Sequence, residues 1–257
     1  MVRRVTMSIL QSIFLGLLQG FSEFLPISSS GHLILAQRLL DVEATLFFDV
    51  ALHVGTLFAV IVVYKKSLAT YVAKPLKNRR LHSLLLASAP TFVIAFAVKA
   101  FVPQGVFEGL LPVGFALTIA LLVISHCLYK PQTPLDRCPL WKVLLCGIVQ
   151  GAAVFPGLSR SGSTVSTLKL CGLHQEDATE FSFVLSLPVI AGSALVEGLE
   201  LLTKPLATPW YCIVLGVFFA FLSGYASLSV LKSLKSSSWV WFALYLPIPL
   251  VLSLICI

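Results

Sequence analysis

Eight stretches of the chain are almost continuously apolar: residues 7–25, 46–64, 82–101, 110–129, 140–155, 181–202, 210–231 and 239–257. Most approach the roughly 20 residues that a helix needs to cross hydrocarbon. Membrane-barrel strands would alternate apolar and polar positions over about ten residues. Stretches such as VLLCGIVQGAAVF and GVFFAFLSGYASLSVL show no such period. The pattern therefore predicts an all-α polytopic membrane protein, and the whole-chain mean hydropathy of +0.96 lies far from that of a soluble domain.

Two polar passages interrupt the pattern, and they resemble each other. GLLQGFSEFLPISSSG (16–31) aligns without a gap on GIVQGAAVFPGLSRSG (147–162), pairing Gly16 with Gly147, Gln19 with Gln150, Phe24 with Phe155, Ser28 with Ser159 and Gly31 with Gly162. The same shift carries Asp49 onto Glu180. The chain reads as one membrane domain (1–257) made of a duplicated half, residues 1–130 followed by 131–257.

Charge orients the halves. KKSLATYVAKPLKNRR (65–80) carries six of the eighteen basic residues and no acid, so it belongs on the cytoplasmic side, as does KSLK at 232–235. The loops around 102–109 and 203–209 are nearly free of basic residues and fall outside. Runs 82–101 and 110–129 then cross out and back, leaving 130–142 inside, while runs 210–231 and 181–202 return residue 180 to the same side. Residues 140–180 must enter and leave on one face, as a re-entrant pair of short helices with the serine-rich passage at its tip. Each half becomes one re-entrant hairpin plus three crossings, about six transmembrane helices in all. Three is odd, so the second half is inverted relative to the first. This topology places Arg3 and Arg4 outside; a full crossing by the first run would put them inside and break the symmetry.

Net charge +7 sits in short loops and reports orientation, not nucleic-acid binding. No cleavable signal is expected, because the first run leads directly into the polar passage without a small-residue cleavage pattern. The six cysteines (127, 138, 146, 171, 212, 256) are scattered without C-x-x-C spacing, and read as packing residues.

The chemistry lies in the two interruptions. PGLSRSGST (156–164) groups Ser159, Arg160, Ser161, Ser163 and Thr164 around Gly157 and Gly162, with a helix expected to start near Ser161. A guanidinium fork, hydroxyl donors and a helix N-terminus make an oxyanion or phosphate site. QGFSEFLPISSSGH (19–32) supplies Glu23, four residues after Gln19 and so on one helical face, then Pro26 as a breaker, then Ser28, Ser29, Ser30 and His32. A hydroxyl nucleophile, a histidine, a carboxylate and an arginine across a pseudo-symmetric cavity are the components of a phosphatase. A lipid or anion carrier can use the same groups. A purely structural scaffold would leave several polar groups in lipid without a task.

Taken together, QGFSEFLP with SSSGH, FFDVALHVGTLFAV (47–60), PGLSRSGST and EFSFVLSLP (180–188) closely resemble the undecaprenyl-diphosphate phosphatases of bacteria, the type linked to bacitracin resistance. The resemblance runs nearly end to end. It implies hydrolysis of undecaprenyl diphosphate to undecaprenyl phosphate and orthophosphate, recycling the lipid carrier for peptidoglycan synthesis. It also implies residence in the bacterial cytoplasmic (inner) membrane with a site open toward the periplasm, and a divalent cation, Mg²⁺ or Ca²⁺. A homo-oligomer is compatible with it. On this resemblance the E/Q-x-x-x-E motif falls on Gln19 and Glu23, which become the cation's ligands. Ser29 becomes the nucleophile with His32 as partner, and Ser159, Arg160 and Thr164 the phosphate clamp, supported by Ser28, Ser30 and Ser161. Many relatives have glutamate where this chain has Gln19. One carboxylate, amide oxygens and the diphosphate can still hold Mg²⁺, which takes few protein ligands. Direct attack by water activated by His32 is the alternative to a serine nucleophile.

Overall fold

A computed structural model describes residues 7–42, 44–73, 75–131, 133–200, 208–234 and 236–256. Arg3, Arg4, most of the 203–209 loop and Lys235 lie outside the described residues, so the topology drawn from them rests on sequence.

In chain order the α-helices are α1 (Ile9–Phe24), α2 (Ser29–Leu39), α3 (Leu46–Val72), α4 (Arg79–Phe101), α5 (Gln104–Gly109) and α6 (Leu111–Leu128). The second half supplies α7 (Leu140–Ala152), α8 (Arg160–Leu170), α9 (Gln175–Glu200), α10 (Trp210–Ser233), α11 (Val240–Tyr245) and α12 (Pro247–Cys256). Helices α3, α4, α6, α9 and α10 are long and apolar enough to cross a membrane. A further apolar helical segment, Val240–Cys256, is divided into α11 and α12 where Pro247 interrupts the hydrogen-bond ladder. The protein is thus an all-α polytopic membrane protein.

Helices α1, α2, α7 and α8 are shorter. At ~1.5 Å per residue α2 and α8 reach only about 17 Å, little more than half of the ~30 Å of hydrocarbon. The outer ends of each pair lie close together. Thr133, ahead of α7, pairs with Leu173, just after α8, and Lys142 Nζ donates to the Cys171 carbonyl at 2.6 Å. At the other end Gln11 Nε2 of α1 donates to the carbonyl of Leu40, the residue that closes α2. Ile9 and Leu140, Ser29 and Arg160, and Arg79 and Trp210 are helix starts that each stand 131 positions apart, the shift at which the sequence repeats.

The two halves interleave. Helix α1 lies along α10, and in the equivalent pairing α7 lies along α4. Both contacts are built on small residues, which let backbones approach closely where lipid supplies no hydrophobic drive. A Cβ on Gly16 would stand 2.4 Å from the Gly216 carbonyl oxygen, and one on Gly147 2.1 Å from that of Ala87. Hydroxyls tie the same seams: Ser227 Oγ donates to Phe21 O (3.1 Å) and Thr91 Oγ1 to Gly147 O (2.8 Å).

Two loops contain more helix than the hydropathy pattern predicts. Helix α3 continues past residue 64 to Val72, bending at Tyr64 (φ −105°, ψ 15°), so the basic segment 65–80 is largely helical. Its helical hydrogen bonds satisfy the backbone after the apolar run ends. The 102–109 loop holds α5. At the basic end of the molecule Arg80 grips Asp136 with two bonds (2.9 and 3.0 Å) and reaches Glu180 at 3.4 Å, while Ser67 donates to the same Glu180 oxygen. The guanidinium holds the Asp136 carboxyl below the usual carboxylate range. This clasp joins α3, α4, α9 and the turn ahead of α7.

Gly114 of α6 seats the tip of the second hairpin. A Cβ there would lie 2.1 Å from Pro156 O and 2.5 Å from Leu158 N. One turn on, Thr118 Oγ1 donates to Gly157 O (3.0 Å) and accepts from Ser159 N–H (2.9 Å). The substitution Gly114→Ala is therefore expected to push the tip away from α6 and lower stability by about 1–3 kcal/mol, the usual range for overpacking. A reduced thermal midpoint of the detergent-solubilised variant checks this.

Candidate active site

The two tips meet, as Ser161 Oγ donates to Leu25 O at 3.0 Å. Each tip opens a helix with a serine cap. Ser28 Oγ accepts from Gly31 N–H (3.3 Å) at the start of α2, and Ser159 Oγ accepts from Gly162 N–H (3.1 Å) at the start of α8. Two helix N-termini, each with a partial positive charge, thus enter one region. Ser28 has φ 68° and ψ 93°, a conformation non-glycine residues rarely adopt. It turns the chain out of Pro26–Ile27 into α2.

Glu23 is the hub. It is 4% exposed, at the end of α1, and Gln19 one turn earlier is fully buried. Oε2 of Glu23 accepts from Ser29 Oγ at 2.5 Å and from Gln19 Nε2 at 2.9 Å. Oε1 accepts from Arg160 Nη2, so the carboxylate from the first half and the guanidinium from the second neutralise each other. An ion this deep in lipid is costly unless paired. Arg160 keeps a buried Nη1 with no partner, and Gln19 Oε1 and Ser163 Oγ are likewise unpaired. Buried polar groups are rarely left unsatisfied. Here an unused guanidinium donor stands beside a carboxylate-held hydroxyl, a pairing whose chemistry suits an oxyanion.

The structure divides the expected site residues into two groups. Ser29, Ser30 and Arg160 are half-buried and able to meet a ligand. Ser28, Ser159, Ser161 and Thr164 are buried, with their hydroxyls engaged inside the protein. Ser28 and Ser159 cap helices, Ser161 links the tips, and Thr164 Oγ1 bonds Arg160 O (2.8 Å) and Ser182 Oγ (2.5 Å). They shape the site that Ser29 and Arg160 present. His32 is not brought to the Ser29 hydroxyl. Its Nδ1 donates to the Ser28 carbonyl (2.7 Å), so Nε2 accepts from the Tyr245 hydroxyl (2.8 Å), and the ring stacks on Tyr245 with Phe115 edge-on. One nitrogen is spent on the strained turn at Ser28 and the other on Tyr245.

His53 of α3 is the histidine that reaches the hub, with Nε2 3.4 Å from Glu23 Oε2. Neither His53 nor Tyr245 stands in the two polar passages that the sequence singles out. A signal was present for the first: Asp49 and His53 stand four apart, on one helical face, inside an otherwise apolar run.

Among the described residues no three His, Cys, Asp or Glu side chains gather to hold a metal ion. Gln19 meets Glu23 through its amide N–H, and its own Oε1 is left without a partner. A hard cation that keeps waters and shares its shell with substrate phosphate needs few protein oxygens, so Glu23 and Gln19 would serve it once the Gln19 amide turned its oxygen toward the carboxylate.

Fold and site together describe a polytopic membrane protein in which a buried carboxylate, a serine hydroxyl and an arginine meet where two hairpin tips join. The family model described as "Bacitracin resistance protein BacA" matches residues 12–251. Proteins named undecaprenyl-diphosphatase are similar over most of their length. The one from Halothermothrix orenii is 38% identical, covering 93% of this chain and 94% of its own. The one from Syntrophotalea carbinolica is also 38% identical (93% and 95%), and that from Treponema denticola 36% (96% and 97%). The chain belongs to the BacA family.

Proposed function

We propose that this protein is an undecaprenyl-diphosphatase of the bacterial cytoplasmic membrane, acting on the lipid diphosphate from a site that opens toward the periplasm. In this reading the second half is the inverted counterpart of the first, and the isoprenoid tail stays in lipid while the diphosphate enters between the hairpin tips. The observation that carries it is the arrangement at Glu23. One oxygen holds the Ser29 hydroxyl at 2.5 Å and the other holds Arg160, whose second terminal nitrogen is unpaired.

The diphosphate competes with Glu23 for the guanidinium. As Arg160 turns to the terminal phosphate, it releases a carboxylate that already accepts from Ser29. The serine oxygen attacks the terminal phosphorus and its proton passes to Glu23. The bond to the bridging oxygen breaks, and undecaprenyl phosphate leaves. Water then cleaves the phosphoserine, giving orthophosphate and restoring Ser29. Glu23, not His32, is the proton acceptor, because His32 has no nitrogen free. Glu23 and Gln19 would hold a Mg²⁺ or Ca²⁺ ion, which supplies charge neutralisation for the diphosphate.

Purified protein in detergent is expected to release orthophosphate from undecaprenyl diphosphate with Mg²⁺ and no ion gradient, and to lose most turnover in EDTA. Binding of the lipid without phosphate release would make the protein a carrier. Full activity in EDTA would remove the cation.

A further inference from the structure

Resting on the phosphatase reading, we infer that His53 is a positioning residue for the reaction: it holds Glu23 in the orientation that receives the Ser29 proton. Its Nδ1 lies 2.8 Å from the Asp49 carbonyl, which only accepts, so Nδ1 carries a hydrogen and the ring is fixed to its own helix. Nε2 faces Glu23 Oε2 at 3.4 Å, the oxygen on which Ser29 and Gln19 also converge, and it supports that acceptor by carrying the ring's second hydrogen, as the cationic partner of an ion pair. Arg160 holds the other oxygen, so when substrate draws the guanidinium away the carboxylate loses its main anchor. His53 remains as a support from α3.

Two contacts make α3 a firm base for that support. The Asp49 carboxylate accepts from Gln37 Nε2 at 2.7 Å, tying α3 to α2, the helix that carries Ser29. Gly55, two residues beyond His53, faces the backbone of α10, where a Cβ would stand 2.4 Å from Val217 O. His53 itself is about one quarter exposed, at the rim of the site and not in packed core.

The test is steady-state phosphate release by His53→Ala and His53→Gln, with the thermal midpoint of each. Glutamine can place an amide N–H toward Glu23 but cannot carry a proton through the ring. Alanine is expected to lower kcat on the order of a hundredfold, as small misplacements of a reacting group do, with KM little changed. Glutamine is expected to recover most of that loss. Wild-type kcat in the alanine variant overturns the inference, as does a change confined to KM. A glutamine variant that keeps the wild-type thermal midpoint yet is as slow as alanine also overturns it. Should alanine fail to fold, the glutamine variant decides alone. A wild-type protein that releases no phosphate instead refutes the phosphatase reading, before any variant is compared.

Discussion

Phosphate release by an Arg160→Ala variant is expected to fall about 10²–10³-fold, the loss that follows removal of one preorganised donor to a developing oxyanion. Both the Michaelis complex and the transition state present phosphate oxygens to this guanidinium, so kcat and KM should both suffer. Arg160→Lys should lie between, because a lysine supplies charge without the planar fork. Alanine also takes from the buried Glu23 carboxylate its guanidinium partner, and breaking such a pair typically costs about 3–5 kcal/mol of stability. The double variant Glu23→Gln/Arg160→Ala separates the effects: it should regain thermal stability and stay inactive. Wild-type turnover in a folded Arg160→Ala protein would remove Arg160 from the phosphate site.

Ser29→Ala is the second large effect expected. Loss of the attacking oxygen should cut kcat at least about a thousandfold, as removal of a nucleophile does elsewhere. KM should change little, because the guanidinium and helix N-termini remain. Glu23 loses one donor but keeps Arg160 and Gln19, so the fold should survive. Acid quenching of the wild-type reaction, followed by mass analysis of the peptide around residue 29, should find a phosphate on Ser29. Near-normal kcat in the alanine variant would instead assign the attack to water.

Much of this was legible in the residues. Hydropathy found the crossings because lipid imposes one rule on every spanning segment. The repeat shared by 16–31 and 147–162 has a counterpart in helix starts at the same spacing. Gln19, Glu23, Ser29 and Arg160 were all visible as polar groups where lipid was expected. What sequence could not assign was direction. Ser159, Ser161 and Thr164 look like phosphate donors in a row, yet successive helical positions point about 100° apart. Which hydroxyl meets the ligand depends on how α8 is rolled against α6 and α9. His32 and His53 were equally hard to rank. One lies three residues from Ser29 but turns to Tyr245; the other is remote in sequence and arrives by packing of α3.

The interleaving of the halves also constrains how the protein is made. Helix α1 leaves the ribosome well before α10, whose glycines receive it. Until then the glycine face of α1 has no permanent neighbour, and Glu23 has no Arg160. The first hairpin must therefore wait at the membrane until α10 has been made. The carboxylate at its tip becomes a completed ion pair only when the second hairpin enters.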